Sequence, residues 1–328
     1  MMEEARFYEK LEDNRVRCLL CPHECVIADG RRGICRVREN TKGTLYSLIY
    51  EQVSSRGVDP IEKKPLYHFY PGSLSYSVGT VGCNLSCTFC QNFEISQESP
   101  PTYRMTSREI IESCTHTRCK SIAYTYNEPV IWYEFVYDTA VEAKKQGILN
   151  VLVTNGYINQ EPLKKLLPVI DALNIDVKAY TDQFYKKLCR GTLSPVLRAV
   201  ECAKSQAWVE ITTLLIPGQN DSPEEIEALV DWVASLGEET PLHFSRYFPR
   251  FGLHIPATPL ESLERALSIA RKKLRYVYIG NVAGHSGDNT YCYQCHHPVI
   301  MRRGFSASPV GLTDTRCTRC GAKIDITW

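Results

Sequence analysis

The sequence has 328 residues, 44% apolar and 23% charged, with 38 Lys and Arg against 37 Asp and Glu for a net charge of +1. That composition is globular and excludes a largely disordered chain, and the balanced charge excludes a global field for holding nucleic acid or an anionic membrane. Fifteen cysteines, an odd number, point to metal or redox chemistry rather than to a disulfide framework. Length alone predicts about two domains. Residues 1–17 are polar and charged, without an apolar signal core, and no apolar run reaches spanning length. The expectation is a cytoplasmic chain with no membrane span.

The first element in chain order is a cysteine cluster. Cys18, Cys21, Cys25 and Cys35 read C-x2-C-x3-C-x9-C, with Gly30 and Gly33 in the last spacer. Four thiols so close in sequence suit one metal centre, either Zn2+ or a second iron–sulfur cluster. His23 lies inside the motif and is read as a bystander.

Residues 75–80 then read as a strand. The loop beginning at Gly82 carries Cys83, Cys87 and Cys90, spaced C-x3-C-x2-C. Three thiolates on one short loop can hold three irons of a [4Fe–4S] cube and leave the fourth iron open for a substrate or cofactor. The other reading is an iron–sulfur site whose fourth cysteine is remote in sequence.

From Thr106 to Gly280 short apolar segments alternate with helical ones. Strands are predicted at 121–125, 150–154, 172–177, 208–215, 242–245 and 276–279. Helices are predicted at 130–146, closed by Gly147, and at 161–167, 223–236 and 260–273. Ser222 is the expected cap of the third of these, with Pro223 at its first position and Glu225 at its third. Strands alternating with helices predict a parallel α/β arrangement.

Cys292, Cys295, Cys317 and Cys320 close the chain as two C-x2-C pairs. Four thiolates on two tight turns fit a closed tetrahedral Zn2+ site, and a short tail needs such a staple. Cys114, Cys119, Cys189 and Cys202 have no such spacing and are read as small buried apolar residues.

The Cys83–Cys90 triplet, with Phe89 before its last cysteine, resembles the signature of the radical S-adenosylmethionine (SAM) enzymes. The resemblance implies an α/β fold, a partial (β/α)6 TIM-type barrel over residues 73–284. An N-terminal Cys-rich module (1–72, with a linker) and a C-terminal zinc-ribbon-like module (285–328) flank it. It also implies that a [4Fe–4S] cluster on the triplet binds SAM. Reductive cleavage then gives methionine and a 5′-deoxyadenosyl radical that abstracts hydrogen from substrate. Phe89 would lie near the adenine. At successive strand ends stand Tyr126-Asn127-Glu128, Thr154-Asn155-Gly156 and Asp176-Val177-Lys178. By resemblance Glu128, with Asn127, stands where the methionine amine is bound. Thr154, Asn155, Asp176 and Lys178 would surround the cofactor carboxylate and ribose, with a monovalent cation near Asp176.

The segments Asp59-Pro60-Ile61-Glu62-Lys63-Lys64-Pro65-Leu66 and Leu214-Leu215-Ile216-Pro217-Gly218-Gln219-Asn220-Asp221 narrow the resemblance to the AmmeMemoRadiSam-system radical SAM enzymes, which are related to pyruvate formate-lyase activating enzymes. Implied partners are SAM, an electron donor, and proteins carrying AMMECR1-like or Memo-like domains. The other readings are a glycyl-radical activase acting on a partner protein and a metal-binding scaffold without turnover. An RNA-modifying enzyme ranks below these, since the basic residues near the C-terminal cysteines are few. His254 is assigned no role.

Overall fold

The computed structural model describes residues 2–328. Its centre is one eight-stranded sheet. An antiparallel strand, β1 (Ser55–Pro60), starts it. Seven parallel strands follow in chain order: β2 (Leu74–Gly79), β3 (Ser121–Tyr124), β4 (Leu149–Thr154), β5 (Ala172–Asp176), β6 (Trp208–Leu215), β7 (Leu242–Arg246) and β8 (Val277–Gly280). The parallel strands number seven, where the resemblance implied six. The segment ending at Gly280 pairs with β7 as fully as its neighbours pair with each other. The order leaves β1 and β8 as edges, so strand pairing does not close the sheet.

Six helices cross between these strands. They are α1 (Ser107–His116), α2 (Tyr133–Lys145), α3 (Gln160–Leu166), α4 (Leu193–Lys204), α5 (Pro223–Leu236) and α6 (Leu260–Ala270). The Ser222 hydroxyl caps α5 by accepting from the Glu225 N–H at 3.2 Å, as its sequence predicts. The helix expected from 130 starts later. Pro129 and the Glu128 side chain, which accepts from the Val130 N–H, set a 3₁₀ turn over Pro129–Trp132 first. The helix expected to reach Lys273 ends at Ala270. Helix α4 was not among the predicted helices; its Pro195 lies in the first turn, where no N–H partner is required.

The N-terminal strands carry no separate core. Val16, Leu20, Ile27, Val37, Leu45 and Val53 are buried in the same cluster as Val78 and Ile122 of the sheet. Residues 61–70 cross the amino-terminal ends of the strands as a floor. Ile61, Leu66 and Phe69 pack there against Ala123, Val151 and Ala172. The chain's last residues complete the floor from below. Phe69 pairs with Thr327, and Tyr67, Tyr276 and Tyr278 share a core with Cys292, Cys317 and Ile324. Arg302, fully buried, stacks on the Tyr67 ring and donates to the Tyr67 carbonyl at 2.7 Å. Glu210 at the start of β6 accepts from the backbone N–H groups of Tyr67 and His68 and meets His243 at 2.7 Å. No described helix is long and apolar enough to cross a membrane.

Candidate active site

Strand β2 delivers the chain into the triplet loop at the carboxyl ends of the strands. Gly82 turns it with φ of +90°, and a Cβ there would lie 2.9 Å from both the Cys35 carbonyl oxygen and Val37 Cγ1. Neighbouring strand ends then tie the loop down. Asn127, after β3, accepts from the Thr80 N–H at 3.0 Å and donates to the Gly82 carbonyl at 2.9 Å. Asn155, after β4, donates to Asn84 Oδ1 at 2.9 Å. The Ser86 and Thr88 N–H groups donate to the Cys189 and Leu188 carbonyls.

Cys83, Cys87 and Cys90 line one cavity of about 400 Å³, together with Phe89, Asn127, Glu128, Thr154, Asn155, Asp176 and Lys178. Every residue expected at the central site therefore faces one space. Glu128 sits there with both carboxylate oxygens engaged. Oε1 accepts from the Val130 N–H at 2.9 Å and the Thr154 hydroxyl at 2.7 Å, and Oε2 accepts from the Asn155 N–H at 2.8 Å. Burial pushes its carboxyl up to about 7, against the pull of these donors and of Lys178. Asp176 pairs with Lys178 at 3.0 Å. Phe89 is buried and tilts on Phe184.

Burial raises the Cys83 and Cys90 thiols, while the adjacent Cys189 thiol, and then burial, raise Cys87. Thiols so placed give up their protons to a bound metal rather than to water.

Two features escaped the sequence reading. Cys189, read as plain filling, lies against Cys87. The floor also sends side chains up into the cavity. Lys63 and Lys64 line it, and both pair with Asp59, at 2.8 and 2.7 Å. Tyr126 donates to the same carboxylate at 2.6 Å and covers the Lys64 ammonium with its ring. Tyr126 holds this pose at φ of +73°, in the left-handed region that costs a bulky residue energy. In the sequence, Asp59–Leu66 carried only the family resemblance and gave these side chains no place at the site.

The outer cysteine sets differ in geometry. Cys292, Cys295, Cys317 and Cys320 bring their sulfurs within 4.8 Å of one another, with Cys292–Cys320 at 3.5 Å and Cys295–Cys317 at 3.7 Å. Cys18, Cys21, Cys25 and Cys35 also line one cavity, with His23 at its wall. Among the described residues no three of them come as close as the C-terminal set.

Comparison with known proteins matches residues 77–233 to the model of the radical SAM superfamily. An uncharacterized protein of Methanocaldococcus jannaschii is 49% identical over 99% of each chain. This chain belongs to the radical SAM superfamily. The pyruvate formate-lyase 1-activating enzyme of Escherichia coli strain K12 is 24% identical over 48% of this chain and 67% of its own. Streptococcus suis SuiB bound to S-adenosylmethionine shares the fold at TM-score 0.52 and 13% identity, over 68% of this chain and 53% of SuiB.

The protein is thus a radical SAM enzyme, and membership implies a [4Fe–4S] cluster and SAM. The residues present fit both. Three thiols on one loop, Cys87 buried and Cys83 and Cys90 half-buried, open onto the cavity and stay too far apart for a single ion. The same cavity offers carboxylates, amides and an ammonium to a zwitterionic ligand.

Proposed function

We propose that the enzyme cleaves SAM reductively and removes a hydrogen atom from its substrate, with Cys83, Cys87 and Cys90 as the ligands of the catalytic cluster. The observation that carries this reading is the single cavity shared by the triplet, Phe89 and six strand-end residues. When bound, the cluster supplies the electron that splits SAM into methionine and a 5′-deoxyadenosyl radical. The chain's own residues bind and orient. Asn127 and Asn155 hold the cysteine loop against the strand ends. Glu128 fixes Asn155, and its charge faces the methionine amine. Lys178, set by Asp176, meets a carboxylate, and Asp176 is the residue beside which a monovalent cation would sit. Phe89 offers a ring face to the adenine. The core arrangement is the partial TIM-type barrel, extended here to seven parallel strands.

At the C-terminal site we infer Zn2+. A tetrahedral ion with bonds of about 2.3 Å sets its sulfurs about 3.8 Å apart, and the Cys292–Cys320 and Cys295–Cys317 separations of 3.5 and 3.7 Å are close to that. Partners under this reading are a one-electron donor and the AMMECR1-like or Memo-like domain proteins of the resembled system. A second reading, formation of a glycyl radical on a partner protein, is favoured by the similarity to the pyruvate formate-lyase 1-activating enzyme.

The test is anaerobic. Reconstituted protein given dithionite and SAM is expected to release 5′-deoxyadenosine, and Cys87→Ala is expected to release none above background. Retained activity in that variant overturns the cluster assignment.

A further inference from the structure

Two of the three cysteine sets share a geometry that the third lacks. The C-terminal four are already at single-ion spacing. The N-terminal four surround a cavity without any trio of sulfurs within 4.8 Å, and so does the catalytic triplet. Sulfurs on one tetrahedral ion stand about 3.8 Å apart, whereas ligands at the corners of an iron–sulfur cube stand about 6 Å apart.

The cavity wall agrees with an anionic group. A Cβ at Gly33 would come within 3.2 Å of Ile27 Cδ1 and 3.6 Å of Cys25 Sγ, so the chain packs closely against that cysteine. Arg38 lines the cavity with its guanidinium fully buried. Its Nη2 pairs with Glu134 at 2.6 Å, but Nε and Nη1 have no partner. Two orphaned donors on a buried guanidinium at that wall are costly unless a bound group accepts from them. Thiolates and bridging sulfides accept such bonds, and bonds to sulfur tune cluster potential.

The site also stands back to back with the triplet. The Cys35 carbonyl lies against Gly82, the neighbour of Cys83. His23 Nε2 contacts the Asn84 carbonyl at 2.7 Å, so this residue braces the catalytic loop. Arg36 donates to the carbonyls of Ser96 and Gln97, and the Ser96 hydroxyl meets Cys90 Sγ at 3.0 Å. On the other side the motif reaches solvent, with Cys25 half-buried and Val26 and Ile34 exposed.

The geometry points to a second [4Fe–4S] cluster on Cys18, Cys21, Cys25 and Cys35, which takes one electron from a low-potential flavodoxin- or ferredoxin-type donor and passes it to the triplet. The N-terminal cluster is oxidised from the 1+ to the 2+ state as the triplet cluster is reduced from 2+ to 1+, and no proton moves. The relay rests on the radical SAM reading above; the metal content of the site does not.

The full chain carrying Cys83→Ala, Cys87→Ala and Cys90→Ala together is reconstituted anaerobically with iron and sulfide. It is expected to keep about four irons and, once reduced, the electron paramagnetic resonance signal of a [4Fe–4S]1+ cluster. Zinc in place of that iron, or no metal there, overturns the proposal. Should that variant fail to fold, the unmutated chain decides. About eight irons with one zinc support the proposal, and about four irons with two zincs overturn it. For the relay, Cys25→Ala is compared under reduced flavodoxin and under titanium(III) citrate. The ratio of the flavodoxin-driven to the citrate-driven rate of 5′-deoxyadenosine release is expected to fall about tenfold, because only a bulky donor needs an entry point. An unchanged ratio overturns the relay.

Discussion

Replacing Glu128 by Gln tests how the strand ends hold the cofactor space. The carboxylate accepts from the Val130 N–H, the Thr154 hydroxyl and the Asn155 N–H. Thr154 has its oxygen occupied by the Gly156 N–H at 3.1 Å, so its proton goes to Glu128. In E128Q the new carbonyl can serve two of these donors at best. The amide NH2 then faces the Asn155 N–H, donor against donor, in a buried place. Losing one bond to a charged acceptor costs about 1.5–3 kcal/mol, or about 10- to 150-fold in an equilibrium constant. The loss falls on Asn155, whose side chain holds Asn84 beside Cys83. Iron content of the reconstituted enzyme is expected to stay near the unmutated value, while SAM affinity by anaerobic equilibrium dialysis drops within that range. Thr154→Val leaves the charge but removes one donor, and is expected to weaken SAM in the same direction by less. Unchanged SAM affinity in both variants refutes the positioning argument. Loss in E128Q alone, with Thr154→Val unchanged, assigns Glu128 a direct contact only.

Two further outcomes concern the floor. Burial pushes Lys64 down to about 8, against the pull of Asp59, while an unfolded lysine titrates near 10.4. Between those values the unfolded chain holds the proton and the folded chain does not, so this group's contribution to stability rises with pH. It is fully present above about 10.4 and lost as pH falls through about 8. The difference in unfolding free energy between the unmutated protein and Lys64→Met, measured by denaturant titration, is expected to change by about 3 kcal/mol across that window; a flat difference rejects the buried titration. Cys317→Ala removes one ligand of the C-terminal site, whose cysteines share a core with Tyr67, Tyr276 and Tyr278. Zinc content is expected to fall to near zero and the thermal midpoint to drop by several degrees, measured by atomic absorption and circular dichroism. An unchanged midpoint in the zinc-free variant separates that site from the floor.

The seven parallel strands were legible because both faces of such a sheet are covered, so most of them are short, largely apolar runs between turn residues. Strand β1 was not. Its sequence Ser55-Arg56-Gly57-Val58-Asp59-Pro60 is polar, because it is an edge strand with Arg56 and Val58 exposed. The strand-end residues from Asn127 to Lys178 were placed through motif resemblance, and the structure gathers them around one cavity. Lys64 was invisible for a different reason. A lysine within a charged run reads as solvated, and only the fold shows that Asp59, Lys63 and Tyr126 enclose it. Nor could spacing fix how the outer cysteine sets gather. The N-terminal set has one C-x2-C pair and the C-terminal set two, and the distance between sulfurs from different turns depends on how those turns pack.

The floor beneath the sheet joins His68 to Asp325, 257 residues away in sequence, through a bond from the His68 ring to the Asp325 carbonyl. A contact so distant forms late, because the loop it closes spans most of the chain. On the ribosome, the strands and the two leading cysteine loops are therefore made well before the segment that seals them from below. The sheet thus has an interval in which it is present but not yet locked by the segment that carries Cys292, Cys295, Cys317 and Cys320. Any group bound by the early loops therefore meets a sheet that is made before its floor is closed.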